Sequence, residues 1–355
     1  MKKLYVITIA VLLATLAISA CRKKENGTGI IKTQPTTTNP TNTYTGFAEI
    51  NSLIGSLKPA AQTFGVTAGI RQTIVTVKGS RLIFYPNSFK DAAGNIITSG
   101  TIDISVIEMS TAGEMIGSGA LPVTTTGQLL ISGGEMQITA KKDGQEVFAN
   151  KYGVCFKQAA ATTQPMNLYL GTTAADSTTS WTLGGSTTGM YTSGTSALAS
   201  DSTIVSIDTT TVFDTTTSTY TYVYTPTYTY DYSFFHVFDS CTDFGMINCD
   251  YFSGVSGLTN VNISITNDSA SYYDTKAYVV IPSINSAMRA FNTSAGCRAS
   301  NIPAGTIVDV VVVSYHSGRY YYARQSGITV TAGAIQYVNL TEHTRDYVVA
   351  ALTAL

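Results

Sequence analysis

Residues 81–106 read RLIFYPNSFKDAAGNIITSGTIDISV, and this stretch decides the fold. Arg81 to Tyr85 is a short apolar run halted at Pro86, which has no backbone N–H to give a sheet ladder. Asp91-Ala92-Ala93-Gly94-Asn95 is a turn, with Gly94 supplying the positive φ that a tight hairpin needs. Then Ile102, Ile104 and Val106 point one way and Thr101, Asp103 and Ser105 the other. The same pattern extends outward. Val75 and Val77 alternate with Thr76 and Lys78 before a Gly79-Ser80 break. Ser132-Gly133-Gly134 turns into Glu135 to Ala140 at period two, and Lys141-Lys142-Asp143-Gly144 turns out of it. Short strands at this spacing predict an antiparallel β-sandwich over residues 47–182.

Residues 183–232 change character. Gly184-Gly185-Ser186-Thr187-Thr188-Gly189 reads as linker, and threonine dominates from Thr209 to Thr219. Tyr220, Tyr222 and Tyr224 then alternate with threonine and valine, and after Pro226 the pattern resumes at Tyr228, Tyr230 and Tyr232. The alternation predicts a strand with a tyrosine face, and Pro226 restricts it to an edge strand or two short strands. The tyrosine face has two readings, as a binding surface or as packing on the neighbouring sandwich. Residues 233–355 predict a second β-domain. Val261, Ile263 and Ile265 alternate, as do Ala277, Val279 and Ile281, and Ile307 to Val313 is apolar enough to be a central strand. Thr344 is placed to cap a short terminal helix through Val348, Val349 and Leu352. The predicted class is all-β: two antiparallel sandwich-type domains joined by the Thr/Ser/Tyr-rich segment, with a short C-terminal helix.

Three blocks carry a resemblance: LIFYPNSFKDAAGNIITSGTIDISVIE (82–108), GQLLISGGEMQITAKKDGQEV (127–147) and MNLYLG (166–171), followed by the lone Trp181. Together they are similar to a ZU5-type β-sandwich found in Bacteroidota lipoproteins. FGMINCDYF (244–252) resembles a GWINCD-type block of the same group, with Met246 where Trp is common. The layout after residue 252 resembles a transthyretin-like module of the carboxypeptidase-regulatory type. These resemblances imply fold and leave activity open, because sandwiches host unrelated functions.

The N-terminus sets the expected location. Lys2 and Lys3 precede an uncharged apolar run from Leu4 to Ala17, then Ile18-Ser19-Ala20-Cys21. This is the architecture of a secretory signal, and the apolar run is short for a membrane span. Ending in Cys21, it resembles a bacterial lipoprotein signal (residues 1–20). The resemblance implies a diacylglyceryl thioether on Cys21 and cleavage before it, leaving residues 21–46 as a lipidated tether. Two or more acyl chains hold a protein firmly at a membrane. Arg22 after the cysteine favours, by analogy, sorting to the outer membrane.

Charged residues are 12% of the chain, about half the usual share, and the formal net charge is -1. No basic stripe follows the signal, which argues against nucleic acid as a partner. Cys155, Cys241, Cys249 and Cys297 stand in a chain bound for a disulfide-permissive compartment. Cys241–Cys249 is the candidate bridge; the alternative is buried thiols packed as small apolar groups. His236, His316 and His343 are scattered, no C-x-x-C occurs, and no metal or cofactor is expected. No nucleophile elbow, H-E-x-x-H, P-loop or dinucleotide fingerprint appears. Glu108 and Glu114 form an acid–base pair only if the fold joins them. Asp91, Asn95 and Asp143 read as turn residues.

Five triplets of Asp, then Ser or Thr, then Thr or a small residue resemble the O-glycosylation sequon of Bacteroidota exported proteins. Their acceptors are Ser177, Ser202, Thr209, Thr215 and Ser269. The functional expectation is a non-enzymatic, lipid-anchored cell-envelope protein that contacts a glycan or a protein. The competing expectation is an accessory or regulatory subunit of an envelope peptidase or glycan-processing enzyme.

Overall fold

The alternation at residues 101–106 is a strand in the computed structural model, and a second sheet closes over its apolar face. The structure describes residues 45–157, 166–184, 197–214, 219–252, 254, 256–266, 274–294 and 296–355, with the backbone alone over 197–234. Cys21, Thr215 and Ser269 lie outside the described residues.

The chain begins with α1 (Thr45–Gly55), followed by β1 (Gln62–Thr67), β2 (Gln72–Val75), β3 (Arg81–Phe84), β4 (Phe89–Lys90) and β5 (Thr101–Met109). After α2 (Ala112–Ser118) come β6 (Leu130–Lys142), β7 (Gln145–Ala149), β8 (Tyr152–Lys157), β9 (Asn167–Thr173) and β10 (Thr179–Leu183). A long strand pair, β11 (Ala197–Asp214) and β12 (Thr219–Cys241), leads to β13 (Gly245–Phe252). The C-terminal part comprises β14 (Leu258–Ile265), β15 (Thr275–Ile281), β16 (Ser286–Thr293), β17 (Gly296–Pro303) and β18 (Ile307–His316). It finishes with β19 (Arg319–Thr329), β20 (Ile335–Val338), β21 (Thr341–His343) and α3 (Arg345–Thr353). The fold is all-β with short helices.

The first sheet runs β1-β5-β6-β13-β9-β10, with β7 also on β6, and the second runs β11-β12-β8-β3-β2. Leu82, Phe84, Val154 and Phe156 of the second meet Ile102, Ile104, Val106, Met136 and Ile138 of the first in one buried core. Burying each such side chain contributes about 1.5–3 kcal/mol. Gly94 closes its hairpin at φ 87°, as the turn requires.

The sandwich extends past residue 182, where composition had ended it. β13 sits between β6 and β9, and the Phe235–Cys241 end of β12 pairs with β8. Residues 235–252 therefore complete the first sandwich instead of opening the second. Ile247 and Cys249 supply the reason, since both are fully buried in its core. The expected linker also differs: residues 197–214 pair with 219–237. Pro226 lies opposite Ile207, where β12 pairs with β11 and its bonds to β8 have not yet begun. Its missing N–H therefore costs no ladder bond on the β8 side.

The third sheet runs β20-β14-β17-β16-β15-β18-β19-β21, antiparallel except for β14 with β20. Val310 and Val312 of β18 face an inner core with Val279 and Ile281, while Val311 and Val313 face the helices. β18 is thus buried on both faces, as its unbroken apolar run predicted. Ile50, Leu53 and Ile54 of α1, Ile116 of α2, and Val348 and Leu352 of α3 cover that outer face. Leading into α2, Thr111 and Glu114 form a capping box. A helix at 45–55 was not expected, because residues from 47 onward read as β. Its signal was present in the 3–4 spacing of Ile50, Leu53, Ile54 and Leu57.

Candidate functional site

α3 starts where Thr344 Oγ1 accepts the Tyr347 backbone N–H at 3.3 Å. That cap sets the helix phase, so Val348 and Leu352 are buried and Tyr347 is about half exposed (49%). Tyr347 lies flat on His343 of β21, centroids 4.0 Å apart and planes 8° from parallel. Tyr322 of β19 meets both rings edge-on, at 6.2 Å from Tyr347 and 6.3 Å from His343. Such offset and edge contacts contribute about 0.5–1.5 kcal/mol each beyond burial.

These rings form one wall of an open cleft of about 480 Å³ between α3 and β19–β21. Arg324, Gln325, Asn339 and Thr341 bring polar groups to it. Arg324 donates from Nε (3.1 Å) and Nη2 (2.7 Å) to Asp309 Oδ2, and Gly327 N donates to Oδ1 at 3.0 Å. Burial opposes the Asp309 charge, but the hydrogen bonds from Arg324, Gly327 and Ser326 prevail and hold its carboxyl below the usual range. Arg324, which lines the cleft, is thereby fixed in place. Gln325 is fixed by its bond to the Tyr337 carbonyl at 2.7 Å.

Thr341 Oγ1 is 2.8 Å from His343 Nε2, the approach of a nucleophile to a base. However, the hydroxyl also donates to the Tyr322 carbonyl at 3.2 Å. The neighbouring carboxylate, Glu342, is committed to Arg319 at 2.7 Å and is not the third group that would orient such a base. Among the described residues no group of three or more His, Cys, Asp and Glu could hold a metal ion.

The residues singled out in sequence fall elsewhere. The candidate Cys241–Cys249 bridge is not formed, and both thiols are buried, as are those of Cys155 and Cys297. Cys241 ends β12 in the second sheet while Cys249 sits mid-strand in the first, and burial pushes the Cys249 thiol up. Glu108 and Glu114 are not joined. Glu114 caps α2, accepting from Ser110 N (2.8 Å) and Thr111 N (3.2 Å), and pairs with Lys78, while Glu108 is buried in β5. His236 is buried in β12 opposite Phe156, and burial lowers its pKa. His316 is half-buried at the end of β18. Asp91 closes its turn by accepting from Ala93 N (2.9 Å) and Asn95 N (2.8 Å). Asp143 likewise sits in the β6–β7 turn at φ 52°. Ser177 is exposed at the β9–β10 turn, where Asp176 accepts from Thr178 Oγ1 at 2.6 Å. Ser202 and Thr209 lie in β11, described by its backbone.

The cleft residues were missed apart from His343, which was noted only as scattered. Their signal was weak, because Tyr322, His343 and Tyr347 are brought together only by the β19–β21 pairing and the turn into α3. No protein-family model matches the chain, and no curated protein matches it.

Proposed function

We propose that this is a non-enzymatic, lipid-anchored cell-envelope protein of the Bacteroidota lipoprotein type, whose α3/β19–β21 cleft binds a saccharide. The observation that carries the binding reading is the Tyr347–His343 stack, half exposed beside amide, hydroxyl and guanidinium groups. A sugar ring presents an apolar face that packs on an aromatic ring, and a rim of hydroxyls that such polar groups bond. The anchor rests on the Lys2 to Cys21 signal and its lipoprotein resemblance. On this reading Cys21 carries the acyl chains, the outer membrane is the destination, and residues 22–46 hold the sandwiches off the headgroups. The first sandwich, of ZU5-like pattern, and the transthyretin-like third sheet serve as the frame. Glycans on Ser177, Ser202, Thr209, Thr215 or Ser269 are a further part of the proposal.

Two measurements test it. A clickable fatty acid fed to producing cells should label the wild-type protein and leave Cys21→Ser unlabelled; an unlabelled wild type refutes the anchor. The full chain on a glycan array should bind a saccharide that Tyr347→Ala does not. An array with no binding, or binding indifferent to Tyr347, refutes the cleft.

A further inference from the structure

The outer face of the first sheet buries two carboxylates side by side. Glu135 and Asp250 have no exposed surface, and both lean on one amide: Asn248 Nδ2 donates to Glu135 Oε1 at 3.2 Å and to Asp250 Oδ2 at 2.5 Å. Among the described residues, three buried oxygens of this group have no hydrogen-bond partner: Glu135 Oε2, Asp250 Oδ1 and Asn248 Oδ1. Two carboxylates held out of water with only neutral hydrogen-bonding groups beside them cannot both stay ionised.

The groups around the pair are neutral or already occupied. Register places Met109 of β5 opposite Glu135, and Tyr169 of β9 opposite Asn248. Met115 of α2 and Trp181 of β10 pack with Met109 and Tyr169 in the layer over this face. Tyr169 is the titratable group in that layer, and burial with the nearby Asp250 pushes its hydroxyl up. Glu114 on α2 is paired with Lys78, and Lys58 Nζ donates to Gln137 Oε1 at 2.9 Å. Glu108 of β5 lies opposite Met136, one position away from Glu135, and its Oε2 is also buried without a partner. Cys249, between Asn248 and Asp250, belongs to the sandwich core instead. Among the described residues no ion pair is made to either carboxylate.

We propose that Glu135 and Asp250 hold one proton between them in the folded protein, and that losing it lifts the α2 layer from the first sheet. A proton on Glu135 Oε2 or Asp250 Oδ1 turns that buried oxygen into a donor and removes one of the two charges. Burial raises both carboxyls, the Asp250 charge raises Glu135 further, and bonds from Ser132, Asn248 and Gly133 partly counter the rise at Asp250. Taking that proton to a solvent base leaves two anions beneath Met115 and Trp181. Their repulsion and need for water favour the opened layer.

The layer has links to both sides. Trp181 Nε1 donates to the Leu121 carbonyl at 2.9 Å, tying β10 to the segment after α2. On the far side α2 seats directly on α3: a Cβ at Gly113 would stand 2.3 Å from the Leu352 carbonyl oxygen. The proton is thus linked through α2 to the helix that carries Tyr347, a consequence that rests on the cleft reading while the proton itself does not.

The test needs no ligand, since Trp181 is the only tryptophan in the chain. Emission of the full-length protein is followed from about pH 6 to about pH 9.5, below the ordinary tyrosine range, with far-UV circular dichroism alongside. The expected result is a red shift on raising the pH with strand signal retained, absent in Glu135→Gln. If that variant does not fold, Asp250→Asn should likewise abolish the shift. A wild type with no shift overturns the proposal, as does a shift that persists in the variant. So does a shift accompanied by loss of strand signal, or one produced by EDTA at constant pH, which would place a cation where the proton is drawn.

Discussion

Tyr347 rests its ring on His343, and the pair spans the junction between a strand end and the helix that follows it. His343 therefore holds the Tyr347 ring flat against the end of β21. His343→Ala should lower the melting temperature slightly, by a loss of about 0.5–1.5 kcal/mol, while weakening saccharide binding more strongly than that loss explains. Melting and binding measured on one preparation check this.

Asp309 and Arg324 set the acid limit of the third sheet. The Asp309 carboxyl is held below its usual range, so its contribution is present above the unfolded value and is lost as pH falls through the folded one. Stability should drop below about pH 4 for the wild type. Asp309→Asn should cost about 1.5–3 kcal/mol at neutral pH, as a hydrogen bond to a charged group is lost, and should flatten that acid limb. Urea unfolding at several pH values reads both.

Much of this fold was legible because its strands obey period two. Ile102, Ile104 and Val106 were assigned their face from alternation alone, and all three are fully buried. The both-face burial of Val308 to Val313 was equally plain. The return of β13 into the first sheet was not, since a sequence shows that Ile247 and Cys249 want burial but not which sheet has a gap. The carboxyl pair was hidden for a related reason. Glu135 sits in a strand whose later positions alternate, with Thr139 and Lys141 exposed, and its own burial comes from the layer of Met109, Met115, Tyr169 and Trp181 over that face.

Lys276 should behave as an unusually soft amine. Burial and the nearby Arg289 bring its pKa down to about 8, and its Nζ lies 5.7 Å from the Phe47 ring centre. A lysine lowered on folding disfavours the charged form, so its cost to stability is greatest below that value and fades as pH rises toward the unfolded one. Limited acylation at about pH 8 should modify Lys276 ahead of the exposed lysines, whose ordinary values lie near 10.4. Peptide mass mapping gives the order, and uniform labelling would contradict it.

Cys155, Cys241, Cys249 and Cys297 should resist thiol reagents in the folded protein and react once it is denatured. Reducing agent should leave the melting temperature unchanged. A drop of several degrees on reduction would show that a bridge forms after all.

The cleft is the centre of this account, and titration calorimetry addresses it directly. The saccharide selected on the array is titrated into the full-length wild type and into Tyr347→Ala of matched melting temperature. The account predicts a saturable isotherm for the wild type and at least a tenfold weaker one for the variant, roughly the 1.4 kcal/mol of one lost stacking contact. Equal affinities would contradict it and move binding away from α3.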